Sequence, residues 1–334
     1  MNWILVWRRL RRDRWTMAAI ATLAGVVAVS LVGGAIATRV LGHGGDKPFP
    51  YATIGDGPVQ KPVGIWSHVP DTAQVRLDEY SQMLPPAKGT KTTLFVLGGD
   101  GTLGRDEFIR LLDGGRTSIE VGIGGVLFAL LVALPVGAAA GYFGGLLDAA
   151  VGRFTDTVMA FPMLLFLVFA TAKLSPYLAG VGYSWIVPRG VFSDALLIGV
   201  FTCFYPMRLF RAQLMTLRHA EFVEAAQMIG ASDWRILRRE LASHLVPTML
   251  VWGAIAVATN MLLEVSLSFI GVGVQPSTPT WGSMLAVAWG SIYAPRSANP
   301  TIWLTLCPTA ALVVTVLALN QLSEGFRRAL EPRH

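Results

Sequence analysis

Charged side chains are scarce in this chain of 334 residues. Asp, Glu, Lys and Arg make up 14% of the residues, whereas roughly a quarter is usual in soluble domains. Hydrophobic residues reach 53%, and the mean hydropathy is +0.53. A soluble protein of this size needs more charge to cover its surface. The composition therefore predicts an integral membrane protein, long enough for about six membrane-spanning helices with moderate loops.

Cysteine and histidine are also few, which limits the chemistry that the chain can carry. Cys203 and Cys307 lie in apolar runs, so a disulfide framework or a zinc site is not expected. The five histidines are scattered, whereas a membrane enzyme, the first alternative, would need His, Asp or Ser clusters near one membrane face. No G-x4-G-K-[ST] motif is present, so we expect this chain to bind no ATP and no cofactor.

The net charge of +6 is explained better by membrane topology than by binding of nucleic acid. Aromatic residues are not interleaved with the basic runs, as a base-stacking platform would require, so no nucleic-acid partner is expected. Basic residues instead collect in short segments between apolar runs, which is typical of cytoplasmic loops. The N-terminal cluster of five arginines (Arg8, Arg9, Arg11, Arg12 and Arg14) predicts a cytoplasmic N-terminus.

Six apolar runs predict six spans, at about 16–38, 117–140, 154–172, 195–210, 248–270 and 301–322. The first run is too long for the apolar core of a signal peptide, so a retained span is favoured. The predicted organisation is a cytoplasmic N-terminus with the first span (1–38), an extracytoplasmic segment (39–116), a core of five spans (117–322) and a cytoplasmic tail (323–334). Loops at 141–153 and 211–247 face the cytoplasm in this scheme, and those at 173–193 and 271–300 face outward.

Within the outer segment, the spacing of Phe108, Leu111 and Leu112 predicts a short amphipathic helix over 105–113, although an ordinary surface helix fits equally well. The stretch 98–102 (GGDGT) matches a short motif of lipid and NAD kinases. The predicted topology places it outside, away from ATP, which argues against a kinase.

The cytoplasmic segment 221–247 has the pattern helix, break, helix. Glu221 to Met228 are good helix formers, and Gly230 can adopt the left-handed conformation that ends a helix. Ser232 can cap a second helix, on which Trp234 and Leu237 are expected to form one apolar face. Such a hairpin suits protein docking, and an ordinary juxtamembrane loop is an equally good interpretation of the local pattern.

This segment resembles the EAA loop of binding-protein-dependent ABC importer permeases, through Glu224-Ala225-Ala226 and Gly230-Ala231-Ser232. In that family the loop docks into a cleft of the ATPase subunit. The family's His-x-x-Pro comes one helical turn later here, at His244 and Pro247. The resemblance assigns ATPase coupling to Glu221, Glu224, Ala225, Ala226, Gly230, Ala231 and Ser232.

Further stretches resemble the second, C-type permease of dipeptide, oligopeptide and nickel importers. They include 104–106, 114–118, 141–145, 160–162, 267–276, 279–282 and 329–333. The resemblance implies an all-α integral membrane protein with six transmembrane helices, the type I ABC importer permease fold, and an extended outer loop between helices 1 and 2. The implied function is peptide import across the cytoplasmic membrane of a prokaryote, with nickel, oligosaccharide or another small solute as alternatives.

The same resemblance implies the partners: a homologous second permease subunit, two ABC ATPase subunits that carry ATP and Mg, and an extracytoplasmic solute-binding protein. An ion channel or ATP-independent transporter is a more distant alternative, because it would not need the 221–247 hairpin. The long outer segment, at about 39–98, is expected to contact the binding protein or to gate the pore.

Asn260 and Glu264 lie one turn apart in the fifth span. An acid inside a membrane is a functional candidate by default, so both residues are candidates for the translocation path. The alternative is that Glu264 lies near the outer end and faces water or a polar helix contact.

Overall fold

A computed structural model describes residues 3–54, 61–72, 76, 84–101, 103–174, 177, 180, 190–274, 277–292 and 302–330. Most of the outer connection predicted at 173–193 lies outside these residues. So do parts of the outer segment and of the 271–300 loop, and the last residues of the tail.

Helices make up most of the described chain, as the composition predicts. Their bounds, in chain order, are α1 Trp3–Arg12, α2 Arg14–Leu41, α3 Glu107–Phe143, α4 Gly145–Met159, α5 Met163–Phe169, α6 Val191–Thr202, α7 Phe204–Leu217, α8 Glu221–Met228, α9 Asp233–Ile270, α10 Trp281–Ile292 and α11 Ile302–Leu330. π-Helical turns occur within α2 at Val29–Gly33, within α9 at Ile236–Leu241, and after α5 at Ala170–Leu174.

Four helices are long and apolar enough to cross a membrane, namely α2, α3, α9 and α11. The number rises to six if the bent pairs α4–α5 and α6–α7 each count as one span. All six predicted spans fall on these helices or pairs, so the predicted all-α membrane fold is confirmed.

The third and fourth spans are both broken; the sequence predicts the break of the third span, at Pro162, but not that of the fourth. α4 and α5 meet at 81°, where Pro162, with its extended backbone, precedes the first residue of α5. α6 and α7 meet at 43°. The predicted loop at 141–153 was wrong: Gly144 alone separates α3 from α4, and its φ of +68° allows this sharp connection.

The predicted cytoplasmic segment 211–247 is mostly helical and has no long loop. α7 continues to Leu217, and α9 begins at Asp233, so the fifth span starts 15 residues before the predicted Thr248. Pro247 lies inside α9, although it lacks the N–H of a regular helical residue. The Gln213 amide of α7 donates 2.9 Å to the nearby His244 carbonyl, which helps to satisfy the backbone there.

Two outer features also differ from the prediction. The separate helix expected at 105–113 is instead the first part of α3, which runs unbroken from Glu107. Asp106 caps it by accepting the backbone N–H groups of Phe108 and Ile109 at 2.9 and 3.2 Å. The loop expected at 271–300 contains α10, in which Trp281 is buried.

The first of two compact units comprises Met1–Leu23, Glu120–Glu264 and Val316–His334. Its core packs the C-terminal half of α3 against α7, α8 and the start of α9, through buried Ala133, Phe210, Leu214, Val223 and Ile236. α3 and α7 approach closely where Gly137 and Gly141 face the carbonyls of Met207 and Arg211.

The second unit comprises Ala24–Ile119 and Val265–Thr315. Its outer segment contains two antiparallel pairs, β1 Thr53–Ile54 with β2 Lys61–Pro62, and β3 Ser67–Pro70 with β4 Thr92–Phe95. A small core of Phe49, Ala52, Val63, Val69 and Phe95 holds them together.

Candidate functional site

The coupling segment, residues 221–232, consists of α8 and a tight turn. Gly230 has φ +80°, and an added Cβ atom would have nothing within 4 Å, so the backbone conformation alone calls for glycine. The Ala231 and Gly230 amides donate to Ala226 and Gln227 carbonyls at 3.0 and 2.9 Å. These bonds close the end of α8, as the sequence predicted for Gly230.

Ser232 lies at the N-cap position of α9 with extended backbone, but its side chain makes no capping bond. Its carbonyl instead accepts the Ile236 amide at 3.0 Å. The expected position is therefore confirmed, whereas the expected side-chain cap was wrong.

The seven predicted coupling residues divide between an inner and an outer face. Ala226 and Ala231 are partly buried against the core around Val223. The other five are exposed: Glu221, Glu224, Ala225, Gly230 and Ser232. Their exposure leaves the acidic edge of α8 and the turn accessible to another protein.

Beside them lies an exposed apolar surface, which we call the docking surface: Met228, Ile229 and Trp234. Their exposed fractions are 82%, 83% and 70%. Large apolar side chains exposed together in this way are typical of sites that bind another protein. The sequence analysis identified Trp234 as part of an apolar face but did not identify Met228, the last residue of α8, or Ile229, the first residue of the turn. The predicted shared face of Trp234 and Leu237 was wrong, because Leu237 packs against the core.

Polar contacts connect the coupling segment to the adjoining helices. The Tyr142 hydroxyl of α3 donates 2.7 Å to the Asp233 carboxylate. The Phe222 ring of α8 stacks on the His244 ring of α9, with the ring centroids 5.2 Å apart. Below them, the Arg211 guanidinium pairs with the Asp148 carboxylate, joining α7 to α4. The segment is thus attached to α9 through the Phe222–His244 stack, and contacts beside it join α3 to α9 and α7 to α4.

A cavity of about 790 Å³ lies in the same unit, between α4, α5, α6, α7, α9 and the end of α11, which contributes Arg327 and Leu330. Its lining is largely apolar and aromatic, with Phe161, Phe166, Phe201, Tyr205 and Trp252 among its members. Asn260 contributes to this lining, whereas Glu264 does not.

Asn260 and Glu264 are both fully buried, so the idea that Glu264 faces water does not fit this structure. The Asn260 amide donates to the Gly122 carbonyl at 3.4 Å, which connects α9 to α3. A third buried polar residue, Asp194 in α6, is 5% exposed. The sequence missed Asp194, since an acid in a first helical turn usually serves the helix dipole.

Among the described residues, no three His, Cys, Asp or Glu side chains come together in a group that could hold a metal ion. Cys203 and Cys307 are free thiols, one buried and one partly exposed.

In the outer segment, His43 is buried among Phe49, Phe95, Thr93 and Asp106. Its Nε2 lies 3.0 Å from the Asp106 carboxylate, and its Nδ1 lies 3.1 Å from the Leu41 carbonyl. Burial opposes the positive charge, but the hydrogen bonds with Asp106 and Leu41 outweigh it and raise the pKa of His43. In its protonated form, His43 can donate to the Leu41 carbonyl and to the Asp106 carboxylate, and so connects the end of α2 to the start of α3.

Residues 133–334 match the family described as "Binding-protein-dependent transport system inner membrane component". This match covers the coupling segment and more than half of the chain. The chain belongs to this family.

Members of this permease family with curated names show similarity over most of their length. The chain is 34% identical to the glutathione transport system permease protein GsiD of Pectobacterium atrosepticum, over 70% of this chain and 72% of that protein. It is 30% identical to the protein of the same name from Escherichia coli O157:H7, over 99% of this chain and 90% of that one. The permease is therefore a transport subunit rather than an enzyme, a multi-pass protein of the inner membrane.

A solved chain of the MetNI methionine ABC transporter, in an inward-facing conformation, has the same fold. The TM-score is 0.51 at 17% sequence identity, over 66% of this chain and 97% of that chain. The permease accordingly has the type I ABC importer fold. Its membership of the binding-protein-dependent family implies that it works in a complex with ATPase and binding-protein partners.

Proposed function

We propose that this permease moves peptides inward across the cytoplasmic membrane. Support comes from the named relatives, whose stated solute, glutathione, is a tripeptide. The apolar and aromatic cavity, with few polar groups, also suits peptides with varied side chains better than it suits a hydrated metal ion. Uptake by the reconstituted importer with its binding protein should be competed by small peptides and not by nickel or oligosaccharides. Competition by nickel or an oligosaccharide alone would overturn the peptide assignment.

The complex that we propose contains this chain, a homologous second permease, two ATPase subunits and an extracytoplasmic binding protein. ATP and Mg belong to the ATPase subunits in this scheme, and this chain binds no cofactor. Both termini of the permease then face the cytoplasm, as does the coupling segment. The mass of the intact complex tests this composition. Single cysteines placed near each terminus, labelled with a membrane-impermeant reagent, test the orientation of the termini.

The coupling role rests on one observation, the docking surface beside the exposed acidic edge of α8. We propose that Met228, Ile229 and Trp234 enter a cleft of one ATPase subunit. ATP-driven closure of the ATPase pair then moves the coupling segment together with α9, because the turn at 229–232 connects α8 directly to that helix. Asn260, on the same helix and on the cavity lining, experiences that movement at the translocation path.

Gly230→Arg tests this coupling directly. The substitution puts a bulky charge in the turn and strains a backbone with φ +80°. We expect normal membrane insertion, loss of the ATPase subunits on purification, and loss of uptake. Gly42→Arg is the matched control, since Gly42 also closes a helix, has φ +78° and has open space around an added Cβ. Full uptake by the Gly230→Arg variant would contradict the coupling assignment.

A further inference from the structure

The helix α1 has two different faces, and it lies directly before the first membrane span. On one face, Val6 and Leu10 are buried against Ala329, near the end of α11 and in the same compact unit. The Arg9 guanidinium donates a hydrogen bond of 3.1 Å to the Ala329 carbonyl. The other described side chains of α1 are exposed. One face of α1 is therefore anchored on α11, and the other is open to a partner.

The open face of α1 is strongly basic. Five arginines lie between residues 8 and 14, and each of them is exposed: Arg8, Arg9, Arg11, Arg12 and Arg14. Arg11 and Arg12 follow Arg8 by three and four residues, so these three side chains lie on one side of the helix. None of the three forms an ion pair with another described residue. An anionic partner from outside the chain therefore fits this face.

The acid nearest in sequence, Asp13, does not neutralise this face. Its carboxylate accepts the Trp15 amide at 3.0 Å and the Thr16 hydroxyl at 2.8 Å, and so caps the start of α2. The same carboxylate pairs with Arg328 of α11 at 3.2 Å. Asp13 thus stabilises the junction of α1, α2 and α11, and α1 keeps its excess of positive charge.

The position of α1 indicates that its partner is the membrane surface. Asp13 alone separates α1 from α2, which is long and apolar enough to cross a membrane. A helix of ten residues is about 15 Å long, so the arginines lie near the lipid headgroups where α2 enters the membrane. Trp7 and Trp15, on either side of Asp13, are 51% and 73% exposed. Tryptophan is enriched at this boundary between lipid and water.

We propose that α1 binds the headgroups of anionic phospholipids through Arg8, Arg11 and Arg12, with Trp7 inserted among the lipids beside them. Basic residues clustered directly next to a membrane span attract anionic lipid, and each additional arginine strengthens the attraction. Arginine also suits phosphate oxygens, because its planar guanidinium can donate two parallel hydrogen bonds to them. Lipid binding then holds α1, and with it the end of α11, at the membrane surface. This lipid site does not depend on the solute that the permease carries.

Photoreactive lipids test this site in the assembled importer, reconstituted in vesicles of phosphatidylethanolamine and phosphatidylglycerol. A trace of photoreactive phosphatidylglycerol should crosslink to residues 3–15 roughly fivefold more than photoreactive phosphatidylcholine with the same acyl chains. This comparison uses the wild-type chain, so it does not depend on how variants fold. Equal crosslinking by the two lipids would show ordinary contact with the bilayer and would overturn the proposal.

Variants then identify the side chains that bind the headgroup. Combining Arg8→Gln, Arg11→Gln and Arg12→Gln should lower crosslinking by phosphatidylglycerol to the level of phosphatidylcholine. The three corresponding lysine substitutions keep the charge and should retain most of the excess. Arg153→Gln is the control, because Arg153 is an exposed arginine of α4, and it should leave the excess unchanged. An excess that persists in the triple glutamine variant would contradict the assignment to these arginines.

An ATPase subunit is the alternative occupant of this face, and recovery of the ATPase subunits with each purified variant distinguishes the two. The lipid site predicts that the triple glutamine variant retains them as the wild type does. Loss of the ATPase subunits from that variant, with unchanged lipid crosslinking, would assign the face to the ATPase and overturn the proposal. Neither measurement uses transport, so the result stands apart from the identity of the solute.

Discussion

The hydroxyl group of Tyr142, in the last turn of α3, donates a hydrogen bond of 2.7 Å to the carboxylate of Asp233, the first residue of α9. Asp233 directly follows the turn that carries the coupling segment. The bond therefore joins the end of one long apolar helix to the start of another, next to the docking surface. We expect it to help the two helices move together when the ATPase subunits close.

Removing either partner of this bond should weaken coupling without preventing assembly. Hydrogen bonds to a charged group contribute about 1.5 kcal/mol or more when buried, and this one is partly exposed, so Tyr142→Phe should lower the uptake rate roughly fivefold. The measurement is ATP-driven uptake alongside recovery of the ATPase subunits. Tyr142→Phe, Asp233→Asn and the double variant form a cycle, in which the double variant should be no slower than either single one. Additive losses would show that the two groups act independently.

The outer segment is expected to receive the binding protein, and its exposed tip offers a narrow test. Ile65 and Trp66 are 46% and 67% exposed, and Trp66 has φ +56°, which is rare for a residue other than glycine. Trp66→Gly relieves this strain while removing the exposed ring. We expect a higher binding-protein concentration for half-maximal uptake, with unchanged ATPase assembly.

Lys88→Ala, an exposed position elsewhere in the segment, is the control and should leave that concentration unchanged. Deleting residues 45–95 should impair delivery more severely, and it also removes Phe49 and Phe95, which pack against His43. Unchanged uptake by the Trp66→Gly and the deletion variants would exclude a role in delivery.

Protonation of His43 should stabilise the outer segment at acidic pH. Because folding raises the pKa of His43, its stabilising contribution is complete below the ordinary value of 6.5 and is lost as the pH rises through the raised value. Hydrogen-exchange protection factors of β3 and β4 should thus be higher at about pH 5.5 than at about pH 8.5. His43→Gln keeps a polar group but cannot titrate, so its protection should be independent of pH. Equal protection of the wild type at both pH values would contradict this role.

Close packing of α3 on α7 should be sensitive to a single methyl group. A Cβ atom on Gly137 would lie 2.5 Å from the Met207 carbonyl oxygen, and backbone atoms cannot move aside cheaply. Gly137→Ala should destabilise the permease by about 1–3 kcal/mol, seen as a lower thermal midpoint in detergent. Gly25→Ala on α2, where nothing lies within 4 Å, should leave the midpoint unchanged or raise it. Equal midpoints for the wild type and Gly137→Ala would show that the helices separate easily.

Much of the fold could be predicted from hydropathy, because long apolar runs such as 117–140 dominate their own local structure. The break between α6 and α7 and the helical start of the third span could not. α4 contains Asp148 and Arg153, whose charges favoured a loop, whereas the Asp148 carboxylate is paired with Arg211 of α7. α10 could not be predicted either, because it lies in a segment rich in proline. Tertiary contacts stabilise it, such as the hydrogen bond that the Trp281 ring N–H donates to the Leu111 carbonyl.

The site was predictable where local backbone rules decide it, as in the left-handed Gly230. It was not predictable where distant helices meet. Leu237 and Trp234 look equivalent on a helical projection, but the core reaches Leu237 alone of the two. Asp194 is buried although it is an acid, and no spacing in the sequence reveals that burial.

Crosslinking from Met228 tests the central claim, that the docking surface engages an ATPase subunit. Met228→Cys, in a chain with Cys203 and Cys307 replaced by serine, can carry a photoreactive probe in the assembled importer. We predict a crosslink to an ATPase subunit whose yield changes when ATP is added, and no such crosslink from a probe at Trp66. Crosslinks from Met228 to lipid or to the binding protein, with none to an ATPase subunit, would contradict the account.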